Sequence, residues 1–222
     1  MRITSLQTQA SNPDRINVFV DERFLLGASS LVVLKMGLDV GQELSPAQLE
    51  QLRDEEALQQ AVERALNYLS FRPRSREEVR RYLRRKETPP ALVERVFERL
   101  EHLDLVNDRA FASFWIESRE QFNPKGARAL KNELRMKGVE REVVDELIDD
   151  EQDEERALRA GRKKAASLVH LPAMDFATFR TRLGSFLQRR GFGYEVTKHA
   201  VSQLWKELKQ DDDGDDDNID DF

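Results

Sequence analysis

The chain repeats itself at a period of about fifty residues. Phe71, Pro73, Ser75, Val79 and Leu83 are matched 51 positions later by Phe122, Pro124, Gly126, Leu130 and Leu134. A weaker third copy, Phe179, Leu183 and Leu187, lies 53 positions beyond. Each anchoring leucine is followed by a basic cluster: Arg84-Arg85-Lys86, Arg135-Met136-Lys137 and Gln188-Arg189-Arg190. An apolar set comes next, Val93, Val96 and Leu100, then Val144 and Leu147, then Val196, Ala200 and Leu204. Such self-similarity marks stacked supersecondary units, none of which buries its apolar face alone. Stacked arrays of this kind present binding surfaces, so function is sought first on a surface and only then in a pocket.

Local signals divide each unit into three helices. In the first, Ala57, Leu58, Ala61, Val62, Ala65, Leu66 and Leu69 form one stripe at helical spacing. Phe71-Arg72-Pro73 breaks that helix, and Ser75 is placed to cap the next, with Glu77 and Glu78 in its first turn where the dipole favours them. That helix runs to about Lys86, and Pro89-Pro90 separates it from a third over 90–102. The second unit reads as 107–121, 125–137 and 140–150, and the third as 152–169, 176–190 and 193–210. Asp108 starts the first helix of the second unit, and Phe111, Phe114 and Trp115 should pack inward. Gly138 and Gly191 stand where a helix-closing glycine belongs, and the first unit has Glu87 at that place.

The N-terminal region reads differently. Ile16, Val18 and Val20 alternate, Asp21-Glu22 turns, and Phe24 and Leu26 alternate again before Gly27 ends the segment. Ser29–Met36 reads as a short helix closed by Gly37, and Ser45-Pro46-Ala47-Gln48 as a capping box opening a helix to about Arg53. The expected fold is therefore mainly α: three tandem three-helix repeats in an elongated curved array, a small β-containing N-terminal module and a disordered acidic tail. The segments are 1–54, 55–106, 107–151, 152–210 and 211–222. The module either caps the first repeat or contacts a partner.

The net charge of −6 conceals the character of the body. Eight aspartates lie after Gln210, and without them the net charge is +2. Residues 1–62 carry −4 and residues 63–210 carry +6. Like charges at that density cannot pack, so the tail is expected to lack structure. It either solvates the chain or folds over basic surface as a shield. No cysteine is present, which fits a reducing compartment. No apolar run approaches the ~20 residues of a bilayer span, and the N-terminus opens no signal peptide, so a cytoplasmic protein without membrane contact is expected.

No catalytic constellation appears: there is no phosphate-binding glycine loop, nucleophile elbow or paired histidine motif. We expect no enzyme, no cofactor and no metal. The informative charges are basic. Arg80, Arg81, Arg84 and Arg85 share one helical stripe, continued by Lys86. Arg128, Lys131, Arg135 and Lys137 lie on the corresponding helix of the second unit, and Arg182, Arg189 and Arg190 on that of the third. Equivalent elements facing one side would give a broken basic band for phosphate or an acidic protein groove. The alternative is a solvated face with local pairing to Glu77, Glu78 and Glu133. Tyr82, Phe111, Trp115, Phe186 and Trp205 could stack on bases, but their spacing beside leucines favours the core.

Three stretches resemble the RecX family of recombinase regulators. Asp104-Leu105-Val106-Asn107-Asp108-Arg109-Ala110-Phe111-Ala112 is similar to the family's join between first and second units, with Asp104 where the family has glycine. Gly126, Leu130, Leu134 and Lys137-Gly138-Val139 resemble the next hallmark, and the stretch from Leu69 to Leu83 the opening one. The resemblance covers about 58–208, and the extension before residue 55 is similar to that of longer members. It implies three tandem three-helix units and binding to the groove of the DNA-bound RecA filament; the chain itself is expected to be a monomer. There the family modulates strand exchange, ATP hydrolysis and LexA coprotease activity, usually negatively, in DNA repair and the SOS response. Direct binding to DNA without RecA stays open beside it. Charge reversal at Arg84, Arg85, Arg135 and Lys137 is expected to abolish modulation without unfolding the chain.

Overall fold

Three antiparallel strands open the chain, β1 (Ile3–Gln9), β2 (Asn12–Val20) and β3 (Arg23–Ser29), in the order β1-β2-β3. The computed structural model describes residues 1–171 and 173–214, with side chains through Lys209. Asp21 and Glu22 turn between β2 and β3 with φ of 47° and 64°, both left-handed, as a two-residue hairpin turn matching the strand twist requires. Gly27 does not end the segment; it pairs with Asn17 inside β3, where a Cβ would lie 2.8 Å from Gln9 Nε2. Ser29 caps α1 (Ser30–Lys35) by accepting from Leu31 N. Ile3, Val18, Val20 and Ala28 then bury against Val32, Val33, Leu38, Leu44 and Leu52.

The capping box at Ser45 and Gln48 starts α2 (Pro46–Leu69). The sequence reading placed two helices here, and the structure has one of 24 residues. Neither glycine nor proline interrupts it after its first residue, and Glu55 and Glu56, where the two were expected to meet, are buried and paired. Glu55 accepts from Lys35 at 2.7 Å, Arg95 at 2.9 Å and Arg99 at 3.1 Å. Glu56 takes Arg15 at 2.8 Å and the Ser29 amide at 2.7 Å. The Lys35 hydrogen bond outweighs burial and, with Arg99 and Arg95, holds the Glu55 carboxyl below its ordinary range.

The chain divides into two compact units, Met1–Arg74 with Val79–Val106, and Ser75–Glu78 with the chain from Asn107. After α2 come α3 (Arg76–Arg85) and α4 (Pro90–His102). Leu58, Ala61, Val62, Ala65, Val79, Leu83, Val93, Val96, Phe97 and Leu100 make the core of the first repeat. The second repeat comprises α5 (Asp108–Phe122), α6 (Ala127–Met136) and α7 (Arg141–Leu147) around Phe111, Leu130, Leu134 and Val144. A 3₁₀ turn (Asp150–Gln152) leads to the third, α8 (Asp153–Val169), α9 (Phe176–Arg189) and α10 (Tyr194–Gly214), around Phe179, Leu183, Leu187 and Leu204. A mainly helical chain with a small N-terminal sheet and three three-helix repeats is thus the observed architecture. Asp108 is the first residue of α5, as expected, and Asn107 caps it by accepting from Ala110 N. The helix α10 runs to Gly214, into the stretch expected to lack structure, because each added turn continues an existing hydrogen-bond ladder. The rest of that stretch, 215–222, lies outside the described residues.

The middle helix of every repeat ends in the same way. Thr88, Val139 and Phe192 donate their amides to the carbonyls of Leu83, Leu134 and Leu187, five residues back. The residues before them are left-handed: Glu87 at φ 57°, Gly138 at 81° and Gly191 at 88°. This is the Schellman closure, with a buried apolar or threonine side chain following the left-handed residue. Asp104, standing at a family glycine, is left-handed as well, at φ 55°.

Close backbone approach joins the second and third repeats. The Gly126 amide donates to Arg190 O at 3.0 Å, and a Cβ on Gly126 would lie 2.5 Å from Gly191 O. The Ala127 amide, first in α6, donates to both carboxylate oxygens of Asp153 at 2.8 and 3.1 Å. The pattern recurs at 75–78 in the same unit. Ser75 Oγ donates to Lys137 O at 2.6 Å, the Arg76 amide donates to Asp108 at 2.7 Å, and Gly138 abuts Glu77. Each carboxylate thus meets the positive end of a helix it does not belong to.

Candidate functional site

On α6, Arg128, Lys131 and Arg135 recur at one-turn spacing and share a face. That face lines an open groove of about 730 Å³ whose other wall is Arg189 and the turn Gly191-Phe192-Gly193. Arg128, Arg135 and Arg189 are exposed, and Lys131 is half-buried. Lys131 pairs with Asp150 at 3.2 Å and Arg135 with Asp145 at 3.2 Å, which Arg141 also holds at 3.1 Å. The Arg141 hydrogen bond, against slight burial and with the charges of Arg135, Arg141 and Lys131, keeps the Asp145 carboxyl below its ordinary range. Arg128 and Arg189 form no ion pair among the described residues. The groove therefore offers two unneutralised guanidinium groups, each able to bind a carboxylate or phosphate bidentately, flanked by two paired cations.

The other basic residues divide. In the first repeat Arg84, Arg85 and Lys86 are exposed, and so is Arg81. Arg80 turns to α4, pairing with Glu94 at 3.2 Å and lying 5.0 Å above the Phe97 ring. On α9, Arg182 is exposed seven residues before Arg189, about two turns away along the same side. Besides Arg80, two residues of the expected band turn to internal partners. Lys137 lies 2.8 Å from Glu78 and 4.0 Å above the Trp115 ring, which makes it a packing residue. Arg190 stacks 4.5 Å above Phe186 and donates to Pro124 O at 3.2 Å. Burial lowers its guanidinium pKa from the ordinary value.

Glu133 does not neutralise the groove either. It accepts from Trp115 Nε1 at 2.8 Å, Arg119 Nε at 2.8 Å and Lys125 Nζ, tying α5 to α6 on another side. Burial pushes its carboxyl up, but the Lys125, Arg119 and Trp115 donors outweigh burial and hold it below its ordinary range. Tyr82 stacks on Tyr68 at 4.2 Å, and Trp205 packs on Phe179 at 4.9 Å and Phe176 at 5.6 Å, so these rings are core. Phe111 is buried, and Phe114 and Trp115 are half-buried. Phe71 and Phe122, equivalent in the repeat, are each 77% exposed and contribute nothing to the cores their spacing suggested.

Sequence reasoning passed over the residues that hold the groove walls. Arg156 is 2% exposed and donates to Glu120 at 3.1 Å, Asp149 O at 2.9 Å, Gln152 at 2.9 Å and Asp153 at 3.4 Å. Burial raises the Asp153 carboxyl above its ordinary range, against the Ala127 amide and Arg156. In a run as charged as Asp153-Glu154-Glu155-Arg156 nothing local marks two of the four as interior. Among the described residues no group of three or more His, Cys, Asp or Glu side chains is placed to hold a metal ion, and no helix is long and apolar enough to cross a membrane.

Comparison with known proteins places this chain in a family. Models of the RecX N-terminal domain and of the first, second and third RecX three-helix domains match residues 1–45, 61–100, 107–148 and 150–201. Regulatory protein RecX of Listeria welshimeri is 27% identical over 215 residues, covering 97% of this chain and 80% of the relative. That of Bacillus subtilis (strain 168) is 29% identical over 209 residues, covering 94% and 79%. A crystal structure of regulatory protein RecX superposes with a TM-score of 0.71 over 90% of this chain and 98% of that one, at 22% identity. The crystal structure of RecX from Lactobacillus salivarius gives 0.57 over 68% and 97%, at 24% identity. With models matching along most of its length, the chain belongs to the RecX family of regulatory proteins.

Proposed function

We propose that this chain is a non-catalytic regulator that binds RecA on DNA as a monomer and restrains its recombinase, ATPase and coprotease activities in the cytoplasm, during DNA repair and the SOS response. Residues 1–54 serve as its N-terminal module and 55–106, 107–151 and 152–210 as its working repeats. The observation that supports this most is the groove between α6 and the α9–α10 turn, where Arg128 and Arg189 stand exposed and unneutralised on elements fixed by buried cores. Exposed cations without internal partners suit an anionic partner, whether acidic RecA surface or DNA phosphate. Arg81, Arg84, Arg85 and Lys86 offer a second cationic face on the first repeat.

Co-sedimentation with RecA filaments on single-stranded DNA tests the reading. The intact chain should pellet with filaments and R128E/R189E should stay in the supernatant, with both folded by circular dichroism. Equal pelleting would refute the groove as the contact. The same unneutralised arginines also favour direct DNA binding. If the four cations of the groove each neutralise one phosphate of single-stranded DNA, the log–log salt slope is about −2.8. A slope near zero together with RecA-dependent recruitment supports the filament reading over the direct one.

A further inference from the structure

A second groove in the same unit has a different chemistry. It measures about 630 Å³ and is formed by the end of α5, Pro124, one face of α8 and the end of α9. Its floor is apolar, made of Phe122, Pro124, Ala160 and Phe186. Phe122 is 77% exposed, an aromatic side chain with nothing to cover it among the described residues. Around that floor stand Arg159, Lys163, Lys164 and Arg190. Lys163 and Lys164 form no ion pair among the described residues, and Arg159 reaches Glu155 only at 3.9 Å. The one carboxylate in the lining, Glu120, is already bonded to Arg156 at 3.1 Å. Such a site fits an acidic segment that also carries apolar side chains.

The chain contains such a segment. Residues 215–222 hold five aspartates around Ile219 and Phe222, with no basic residue. The helix α10 brings it close. His199 lies 3.4 Å from Glu154, and Leu204 packs where a Cβ on Gly161 would be, so α8 and α10 run side by side in one direction. At 1.5 Å per residue, Gly214 lies about 15 Å beyond Leu204, and Ser167, on the rim of the groove, about 9 Å beyond Gly161. Eight residues after Gly214 extend to about 27 Å, and twelve after Gln210 to about 40 Å.

We propose that residues 215–222 dock in cis into this groove, with Ile219 and Phe222 on the Phe122–Phe186 floor and the aspartates against Arg159, Lys163, Lys164 and Arg190. The tail is then an internal competitor for any acidic or nucleic-acid partner of this face, at a place separate from the groove between α6 and α9.

The absence of cysteine makes the test direct. A nitroxide on Ser167→Cys in the otherwise full chain is read through the amide resonances of Ile219 and Phe222. Docking predicts that both lose most of their intensity at low salt. They regain it in K163E/K164E, and also at 1 M salt, where the screening length falls to about 3 Å. Phe122→Ser should restore part of it. Full intensity at low salt in the unsubstituted background overturns the proposal, as does broadening that K163E/K164E and salt leave unchanged. Broadening seen only when spin-labelled and isotope-labelled copies are mixed would place the tail on a second copy and overturn docking in cis. Both lysines are exposed, and unchanged circular dichroism shows that the variant is folded.

Discussion

Replacing Gly191 by alanine should destabilise the third repeat and its seam with the second far more than alanine at an open left-handed glycine. Gly191 sits at φ +88°, and a Cβ there would lie 2.4 Å from Ala129 Cβ and 3.0 Å from Ala129 N. Left-handed backbone costs an L-residue about 1–2 kcal/mol. Carbon atoms rest about 3.5–4 Å apart, so the turn must move by about 1 Å or more, and overpacking of that kind adds about 1–3 kcal/mol. The sum is about 2–5 kcal/mol. Gly37 is the internal control, left-handed at φ +58° with nothing within 4 Å of an added Cβ. Its substitution should carry only the conformational cost, about 1–2 kcal/mol. Urea unfolding followed by far-UV circular dichroism measures both, and tryptophan fluorescence localises the G191A loss, since Trp115 reports the second repeat and Trp205 the third. Pairing G191A with Ala129→Gly removes the Cβ–Cβ clash and should recover part of the loss, less about 1 kcal/mol for a helical glycine. If G191A proves no more harmful than G37A, the close approach of the two repeats is refuted.

Three further outcomes follow from the interior. Leu134→Ala, at a fully buried anchor, should cost about 2–5 kcal/mol in chemical denaturation while leaving the exposed cations untouched. Asp153→Ala removes the acceptor of the Ala127 amide and one partner of the buried Arg156. It should lower stability by about 2–3 kcal/mol, while Asp108→Ala, its half-buried counterpart at Arg76, costs less. Glu133 has a folded pKa below the 4.5 of the unfolded chain, so its stabilisation is complete above that value and lost as pH falls through the folded one. Denaturation midpoints of Glu133→Gln and the parent should therefore differ at neutral pH and converge in acid; a constant gap would contradict the assignment.

What the sequence disclosed was local. The caps at Ser45 and Ser75, the glycines at 138 and 191 and the leucine anchors are each written within one helical turn of where they act. What it concealed depends on neighbours. Nothing local marks Glu55 and Glu56 as interior; they are so because Lys35, Arg95, Arg99 and Arg15 reach them from other elements. Arg189 and Arg190 read as one basic pair, yet adjacent helical residues point about 100° apart, and they line different grooves. Lys137 looked like surface charge until Glu78 and Trp115 were placed around it. Its reversal would set a second carboxylate beside Glu78, so Lys137→Glu is expected to destabilise the chain, and Arg128 and Arg189 are the cleaner positions for testing contact.

RecA's hydrolysis of ATP on single-stranded DNA, with this protein added well below one copy per RecA monomer, bears most directly on the proposed role. The account predicts strong inhibition at that ratio, because one molecule on the filament restrains many subunits, and its loss in folded R128E/R189E. Undiminished hydrolysis under conditions where the chain still binds DNA by itself would contradict a filament-directed regulator.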